Sequence, residues 1–333
     1  MKIAIVGAGA IGGYVGARLA LAGEHVTFMV RGANLEAIRS AGVTLITSDG
    51  HKQIATNVKA SNDYAATGPQ ELVILAVKAH QVEAVASDVP KLFGPDTVVV
   101  TMQNGIPYWY FHRHGGALAG SVLRSVDPSG LVSQNIPAER VIGCVVYPAA
   151  ELLAPGVIKH IEGERFPVGE LDGSTTERVT RVAGCFTNAG FKAPILDNIR
   201  AEIWLKLWGN LTFNPISALT RSTLVDICQF APTRALAAAM MTEAQSVAAK
   251  LGITFRVALE KRIAGAEKVG KHKTSMLQDI EAERPPELEA LVGSVVELGR
   301  LTHTPTPTID TVYALADLLA RTIAVNRAAG ASR

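Results

Sequence analysis

A glycine-rich segment near the N-terminus has the spacing of a phosphate-binding loop. Residues 7–12 have the sequence Gly-Ala-Gly-Ala-Ile-Gly, which is GxGxxG, between the apolar strand pattern of residues 2–6 and a helical pattern. The first glycine would make a tight turn, the second would let the backbone approach a pyrophosphate, and the third would let helix and strand pack closely. The alternative is a glycine turn that packs helix on sheet without a ligand. The residues predicted to bind a dinucleotide are Gly7, Gly9, Ala10, Ile11 and Gly12.

Three polar residues follow later strand patterns, at the edge where open α/β sheets bind their ligands. Arg31 ends the second strand pattern, and no Asp or Glu stands at positions 29–32. An acid there would bind the ribose hydroxyls of NAD, whereas a guanidinium offers a fork for a 2′-phosphate and so favours NADP(H). Lys78 and Asn104 follow the next two strand patterns and are candidates for binding the cofactor. Their alternative role is that of solvated or turn residues.

A stripe of polar residues lies on an otherwise apolar helical pattern. Lys206, Asn210 and Asn214 are spaced i, i+4 and i+8, so they share one face of the helix predicted over residues 200–222. The other faces carry tryptophan, leucine and phenylalanine, which predicts a largely buried helix. Burying a lysine and two amides without partners would cost several kcal/mol. The stripe therefore indicates a ligand site, the alternative being a solvated face on a half-buried helix.

A downstream segment has the pattern of ordinary helix ends. Residues 273–289 contain a Ser/Thr cap pattern, a short helix, a Pro-Pro break and a new helix starting near Pro286. In that interpretation Ser275 is a cap residue. Glu287 is an acid in a first helical turn, which the helix dipole alone would favour.

The elements that must position these residues form two classes. The first hundred residues alternate strand and helix patterns, which predicts a doubly wound parallel Rossmann sheet. The segment from 141 to 171 has short strand patterns that we expect to extend this sheet as hairpins. Helical periodicity dominates from residue 199. We therefore predict an α/β domain over residues 1–197 and an all-α domain over residues 198–333. The further predicted helices are 232–251, 255–268, 285–302 and 308–327.

Composition narrows the function classes. The chain has 333 residues, 48% hydrophobic and 19% charged, with a net charge of +2, so no bulk electrostatic argument favours nucleic acid. Three separated cysteines predict neither a disulfide framework nor a zinc site. Because the N-terminus starts a strand at once, we expect no signal peptide, no membrane segment and a cytoplasmic location. A second copy of the chain is a candidate partner.

Taken together, these motifs resemble the ketopantoate reductase (2-dehydropantoate 2-reductase) family, in the wider 6-phosphogluconate-dehydrogenase-like group. The resemblance covers essentially the whole chain. Its carriers are MKIAIVGAGAIGG, Arg31, LAVKAHQ, MQNG, KLWGNLTFNPISAL and TSMLQDIEAERPPELEALVG.

The resemblance implies NADPH-dependent reduction of ketopantoate to pantoate, in pantothenate biosynthesis, without a metal. Hydride would reach the C2 carbonyl while Lys206 acts as general acid. Glu287 would be the second ionisable group of the active site. Arg31 and Lys78 would favour NADP(H). The residues implied as substrate contacts are Asn104, Asn210, Asn214 and Ser275.

The chain departs from the family pattern in three places. Pro286 stands where the family commonly has a threonine. After Glu287 it has Leu288-Glu289 and Val292-Gly293, where the family commonly has Ile-Asp and Asn-Gly. After Asn104 an aromatic-rich insertion begins with residues 106–112, which we expect to reach the active site or to form a hydrophobic lid or an oligomer surface. A paralogue that reduces another small 2-keto acid is therefore a second hypothesis. A catalytically silent NADPH-sensing module is a third, against which the intact lysine, asparagine and glutamate set counts.

Overall fold

The computed structural model describes residues 1–330, so the last three residues of the predicted second domain lie outside it. The chain divides into two units. The first comprises Met1–Gln103, Pro107–Val122 and Asp127–Ile199. The second comprises Asn104–Ile106, Leu123–Val126 and the chain from Arg200 onward. Two short segments from the first half of the sequence thus belong to the helical unit, which a single boundary at 197 does not provide for.

The strands and helices alternate in the first unit, as the fold class requires. Its strands are β1 (Lys2–Val6), β2 (His25–Met29), β3 (Val43–Ile46), β4 (Lys52–Ala55), β5 (Val58–Ser61), β6 (Gln70–Leu75), β7 (Phe93–Thr101), β8 (Val141–Cys144), β9 (Ala149–Ala154), β10 (Val157–Glu162) and β11 (Val168–Gly169). Its helices are α1 (Ala10–Leu21), α2 (Ala33–Ala41), α3 (Tyr64–Thr67), α4 (Glu83–Ala86), α5 (Leu131–Asn135) and α6 (Glu177–Asn188).

The main sheet is the predicted doubly wound Rossmann sheet. Within residues 1–330 its order is β11-β8-β7-β6-β1-β2-β5, parallel throughout except for β11 against β8. Its central strands are continuous apolar runs, such as Ile3–Val6 and Leu72–Leu75, whose side chains are fully buried. Because helices cover both faces of such a sheet, its strands lack the alternation of half-buried strands. The order reverses beside β1, so the glycine loop that follows β1 lies at the switch point.

A second sheet, of order β4-β3-β10-β9, corrects one expectation. Of the strands between residues 141 and 171, only β8 and β11 extend the main sheet, whereas β9 and β10 form a hairpin that pairs with β3. Strand β10 alternates buried and accessible residues, with Ile158 and His160 buried. That alternation suits a sheet with one wet face, and the buried face packs against α1. Strands β3 to β5 have no counterpart in the predicted pattern.

Two interpretations of the aromatic insertion, a hydrophobic lid and an oligomer surface, are wrong. Trp109, Tyr110 and Phe111 are at most 2% exposed and belong to the first unit. The indole N–H of Trp109 donates to the Thr101 hydroxyl at the end of β7, at 3.0 Å. The aromatic side chains are therefore core residues of the α/β unit and form neither a lid nor an oligomer surface.

The second unit is helical. Its helices are α7 (Ile199–Thr220), α8 (Leu224–Gln229), α9 (Ala231–Lys250), α10 (Leu259–Lys268), α11 (Ser275–Glu281), α12 (Ser294–Leu301) and α13 (Pro307–Gly330). Two predicted helices differ in detail. Helix α10 starts at Leu259 instead of 255, and the helix predicted over 285–302 begins after Pro285 and Pro286, with a π-helical turn over Glu289–Gly293 before α12. In the described residues no helix is both long and apolar enough for a membrane span.

Candidate active site

The glycine loop is shaped by contacts that leave no room for side chains. Gly7 has a φ of +98°, and a Cβ there would lie 2.7 Å from a methyl group of Val77. A Cβ on Gly12 would overlap the carbonyl oxygen of Gly7, so the start of α1 can approach the end of β1 only with glycine. Gly9 differs, because a Cβ there would meet nothing within 4 Å. Gly7 and Gly12 are thus required for the conformation of the loop. Gly9 has no side chain to cover the loop, so the backbone stays exposed there.

Helix α1 begins where the predicted phosphate site requires. Gly9 is its N-cap, and Ala10 and Ile11 are its first two, partly accessible residues. Backbone N–H groups in a first helical turn have no partner within the helix and carry the positive end of its dipole. The loop therefore has the donors, the open surface and the field that suit an anion.

Asn34, on α2, braces the glycine loop and was not among the predicted residues. Its Nδ2 donates to the carbonyl of Ala8 at 3.3 Å, and its Oδ1 accepts from the N–H of Gly156 at 3.1 Å. Gly156 lies in the turn between β9 and β10, 122 residues away. No local sequence signal links these positions, so only the tertiary structure reveals the brace.

Arg31 and Lys78 follow the carboxyl ends of β2 and β6, two parallel strands that pair with opposite sides of β1. Arg31 is exposed, two residues after β2, and Lys78 is half-buried, three residues after β6. Gln103, another residue that the sequence did not single out, donates through Nε2 to the carbonyls of Leu75 and Val77, both at 2.9 Å. These two hydrogen bonds join the end of β7 to the end of β6 and to the segment that precedes Lys78.

Residues from three distant segments meet in the helical unit. The Lys206 ammonium donates to Oδ1 of Asn104 at 2.6 Å. Nδ2 of the same Asn104 donates to the Glu287 carboxylate at 3.2 Å. A single amide therefore joins a cation and a carboxylate through both of its ends, and this fixes its orientation. Lys206, Asn104 and Glu287 are each only partly buried.

The rest of the stripe continues along α7. Asn210 is half-buried one turn after Lys206, and Asn214 is 5% exposed one turn further. Nδ2 of Asn214 donates to the Ser275 hydroxyl at 3.4 Å. Ser275 is the exposed first residue of α11, and the cap is Thr274, whose hydroxyl accepts from the N–H of Leu277. The pattern interpretation of Ser275 as the cap is therefore wrong by one residue.

Apolar packing and a buried carboxylate hold α7 in place. Trp208 is fully buried, stacks on Phe255 at 4.1 Å and donates its indole N–H to the carbonyl of Met241 at 2.8 Å. Glu202, one turn before Lys206 and 1% exposed, accepts from Arg256 at 2.8 Å. Most of α7 is therefore buried, whereas Lys206 and Asn210 of the polar stripe are partly accessible. Among the described residues, no group of three or more His, Cys, Asp and Glu side chains could hold a metal ion.

Comparisons with known proteins identify the family of the chain. The family model for ketopantoate reductase PanE/ApbA matches residues 3–173, and the model for the C-terminal part of the same family matches residues 198–320. A 2-dehydropantoate 2-reductase of Mesorhizobium japonicum is 54% identical over 321 residues, which are 96% of this chain and 98% of the relative.

Solved structures give the same result. A Ralstonia solanacearum protein provisionally assigned as a ketopantoate reductase has a TM-score of 0.92 and 44% identity, covering 96% of this chain and 98% of its own. The 2-dehydropantoate 2-reductase of Methylococcus capsulatus has a TM-score of 0.82 and 28% identity, covering 97% and 98%. The chain therefore belongs to the ketopantoate reductase family, a family of nicotinamide-dependent oxidoreductases.

Proposed function

We propose that the protein reduces 2-dehydropantoate (ketopantoate) to pantoate with NADPH. The observation that carries the proposal is the hydrogen-bonded series from Lys206 through Asn104 to Glu287, in a chain that matches the family along its length. The 54% identity to a named 2-dehydropantoate 2-reductase supports this substrate over other 2-keto acids.

The chemistry assigns a task to each side chain. NADPH, when bound, supplies a hydride to the substrate's C2 carbonyl. Lys206 stabilises the negative charge that develops on the carbonyl oxygen and donates a proton to it from Nζ. Asn104 holds the ammonium by accepting a hydrogen bond from it. Glu287 accepts a hydrogen bond from Asn104. It is proposed to accept a second hydrogen bond from the hydroxyl of the substrate, so that the keto acid is held in one orientation.

Three further residues are proposed as substrate contacts. Asn210 and Asn214 follow Lys206 along the same face of α7, and Ser275 is hydrogen bonded to Asn214. Amide and hydroxyl groups at these positions offer donors and acceptors to a carboxylate and a hydroxyl. The domain bounds that we propose for the two tasks are residues 1–197 for the cofactor and residues 198–333 for catalysis.

The first unit has the features that a dinucleotide requires. The open surface at Gly9 and the N–H groups of Ala10 and Ile11 fit a pyrophosphate. The exposed Arg31 after β2 fits a 2′-phosphate, and this supports NADP(H) over NAD(H). Lys78 adds a second positive charge after β6. Asn104, three residues after β7, is proposed to serve the nicotinamide end as well as the substrate.

The experiment that tests the proposal is a steady-state comparison of kcat/KM. The substrates are ketopantoate and other branched 2-keto acids, each with NADPH and with NADH. We expect the highest value for ketopantoate with NADPH. A higher value for another keto acid would favour a paralogous reductase, and binding of NADPH without turnover of any of them would favour the sensing module.

We also propose that the protein forms a homodimer. Helix α13 exposes Leu315, Leu318 and Val325 by 52%, 62% and 67%. Apolar side chains exposed together on one helix are typical of association surfaces. Light scattering on the purified protein should give twice the mass of 35.2 kDa, and a monomer mass at micromolar concentration would refute the dimer.

A further inference from the structure

The segment that carries Glu287 also holds Asn104, through a carbonyl in the π-helical turn. The N–H of Ser294 donates to the carbonyl of Glu289, five residues earlier, as the wide turn requires. In an α-helix that N–H would donate to the carbonyl of Ala290, four residues earlier. The widened turn therefore releases the Ala290 carbonyl from this donor, and π turns of this kind occur often at functional sites.

The released carbonyl binds the residue pair that follows Asn104. The N–H of Ile106 donates to Ala290 O at 3.0 Å, and the Ser294 hydroxyl donates to the same oxygen at 2.8 Å. Ser294 is completely buried, so its hydroxyl is a fixed part of this arrangement. One oxygen thus joins the helix that directly follows Glu287 to the strand-end segment that bears Asn104.

Gly105 makes the approach close enough. Its φ is +90°, and a Cβ there would overlap the carbonyl of Ala290. Glycine is required both for the backbone conformation and for the space. The backbone next to Asn104 is therefore fixed by its contact with Ala290. This contact does not involve the side chains of Lys206 and Glu287.

We infer that Gly105, the Ala290 carbonyl and Ser294 position Asn104 between Lys206 and Glu287. The inference rests on the proposed function, since Asn104 matters to turnover only if Lys206 and Glu287 are the reacting pair. Gly105 and Ser294 are positioning residues, because they act through Asn104. Reactions of this type are sensitive to displacements of about 1 Å, which can lower turnover by about 100-fold.

Two variants displace Asn104 by different routes. Gly105→Ala adds the overlapping Cβ and should lower kcat by about 100-fold. Ser294→Ala removes one donor from the Ala290 carbonyl and should lower kcat by roughly fivefold, since Ile106 still holds that oxygen. If Gly105→Ala does not fold, Ser294→Ala still tests the inference.

Matched controls separate positioning from simple damage to the fold. Gly252→Ala carries the same left-handed penalty, at a φ of +76°, but its Cβ would meet nothing within 4 Å. Ser246→Ala removes the same kind of bond, from a hydroxyl to the carbonyl four residues earlier, on α9. Both controls should leave kcat within about twofold of the wild-type value, as expected for sites without special contacts.

A double-mutant cycle gives the decisive readout. In the Asn104→Ala background, Gly105→Ala and Ser294→Ala should have little further effect on kcat, because residues that act through one another are not additive. Full losses in that background would overturn the inference, as would near-normal kcat in both single variants.

A crystal structure of Gly105→Ala supplies a readout that does not depend on turnover. The distance from Lys206 Nζ to Asn104 Oδ1 should exceed hydrogen-bonding range, and an unchanged distance would overturn the inference. Wild-type protein that fails to reduce ketopantoate would instead refute the proposed function, so the two failures are distinguishable.

Discussion

The glycine loop is a site made of backbone groups, whereas the Lys206–Asn104–Glu287 network is a site made of side chains. The loop is backbone: its shape follows from missing side chains at Gly7 and Gly12, and its donors are N–H groups. The network is made of side chains, delivered by segments that are about a hundred and about eighty residues apart in the chain. A backbone site depends on the space around a few adjacent residues, whereas a side-chain site depends on tertiary structure.

This difference predicts different responses to substitution. In the loop, a single added methyl group is harmful or harmless according to what lies next to it. In the network, loss of one group removes a chemical step but leaves the fold, because α7 is held by Trp208, Phe255 and the Glu202–Arg256 ion pair.

Removal of the lysine should have the largest effect on turnover. Lys206→Ala should lower kcat by roughly 1,000-fold, since a positioned general acid commonly contributes between two and four orders of magnitude. The affinity for NADPH, measured by fluorescence titration, should survive, because the loop is untouched. Lys250→Ala, at an exposed lysine at the end of α9, is the control. Near-normal turnover of Lys206→Ala would exclude this lysine as the proton donor.

Gly9 and Gly12 of the loop should respond differently to substitution by alanine. Gly12→Ala forces a Cβ against the Gly7 carbonyl and should cost about 3 kcal/mol of unfolding free energy, measured in urea. Gly9→Ala meets no protein atom and should unfold like the wild-type protein, yet raise the Kd for NADPH by about tenfold, or 1.4 kcal/mol. Equal stability of both variants, or normal NADPH binding by Gly9→Ala, would show that the loop does not work through its backbone.

Arg31 should affect one cofactor and not the other. Arg31→Ala should lower kcat/KM for NADPH by about 30-fold, as expected for loss of a charge-assisted hydrogen bond. The value with NADH, which has no 2′-phosphate, is the internal control and should change by less than about twofold. Equal losses with both cofactors would show that Arg31 supports the fold of the β2 end and does not select the phosphate.

The sequence predicted the main sheet and its cofactor loop because their signals are local. Strand patterns such as Ile3–Val6 are continuous apolar runs, and the GxGxxG spacing lies entirely between β1 and α1. The brace from Asn34 to Ala8 and Gly156 has no such signal, since its partners come from separate elements. The second sheet was not predicted for the same reason, because a short strand pattern does not show which other strand it will pair with.

For the network, periodicity found only the part that lies on one helix. Lys206, Asn210 and Asn214 were visible as a stripe, whereas the family resemblance was needed to single out Ser275 and Glu287. That Asn104 joins Lys206 to Glu287 is visible only in the tertiary structure. The aromatic residues 109–111 were misjudged because sequence alone does not distinguish a surface apolar loop from one that folds into the core.

The smallest expected effect on turnover comes from a buried ion pair of the α/β unit. Glu170 is 3% exposed and accepts from Arg178 at 2.5 Å and from Thr176. Burial alone would raise the pKa of Glu170, but the hydrogen bonds from Arg178 and Thr176 outweigh it and hold the pKa below its ordinary value of 4.5. The folded state therefore binds this proton less readily than the unfolded chain does.

Glu170→Gln should destabilise the protein by about 2 kcal/mol at pH 7 without changing kcat, since no part of the network is touched. Because the folded pKa is lowered, the contribution of the carboxylate is complete above pH 4.5 and is lost as the pH falls through the folded pKa. The difference in unfolding free energy between wild type and variant should therefore shrink in acid. Glu164→Gln, at an exposed pair with Lys192, should cost less than about 0.5 kcal/mol at any pH. A fall in kcat with Glu170→Gln at temperatures where the protein stays folded would show that the α/β core and the catalytic side chains are coupled.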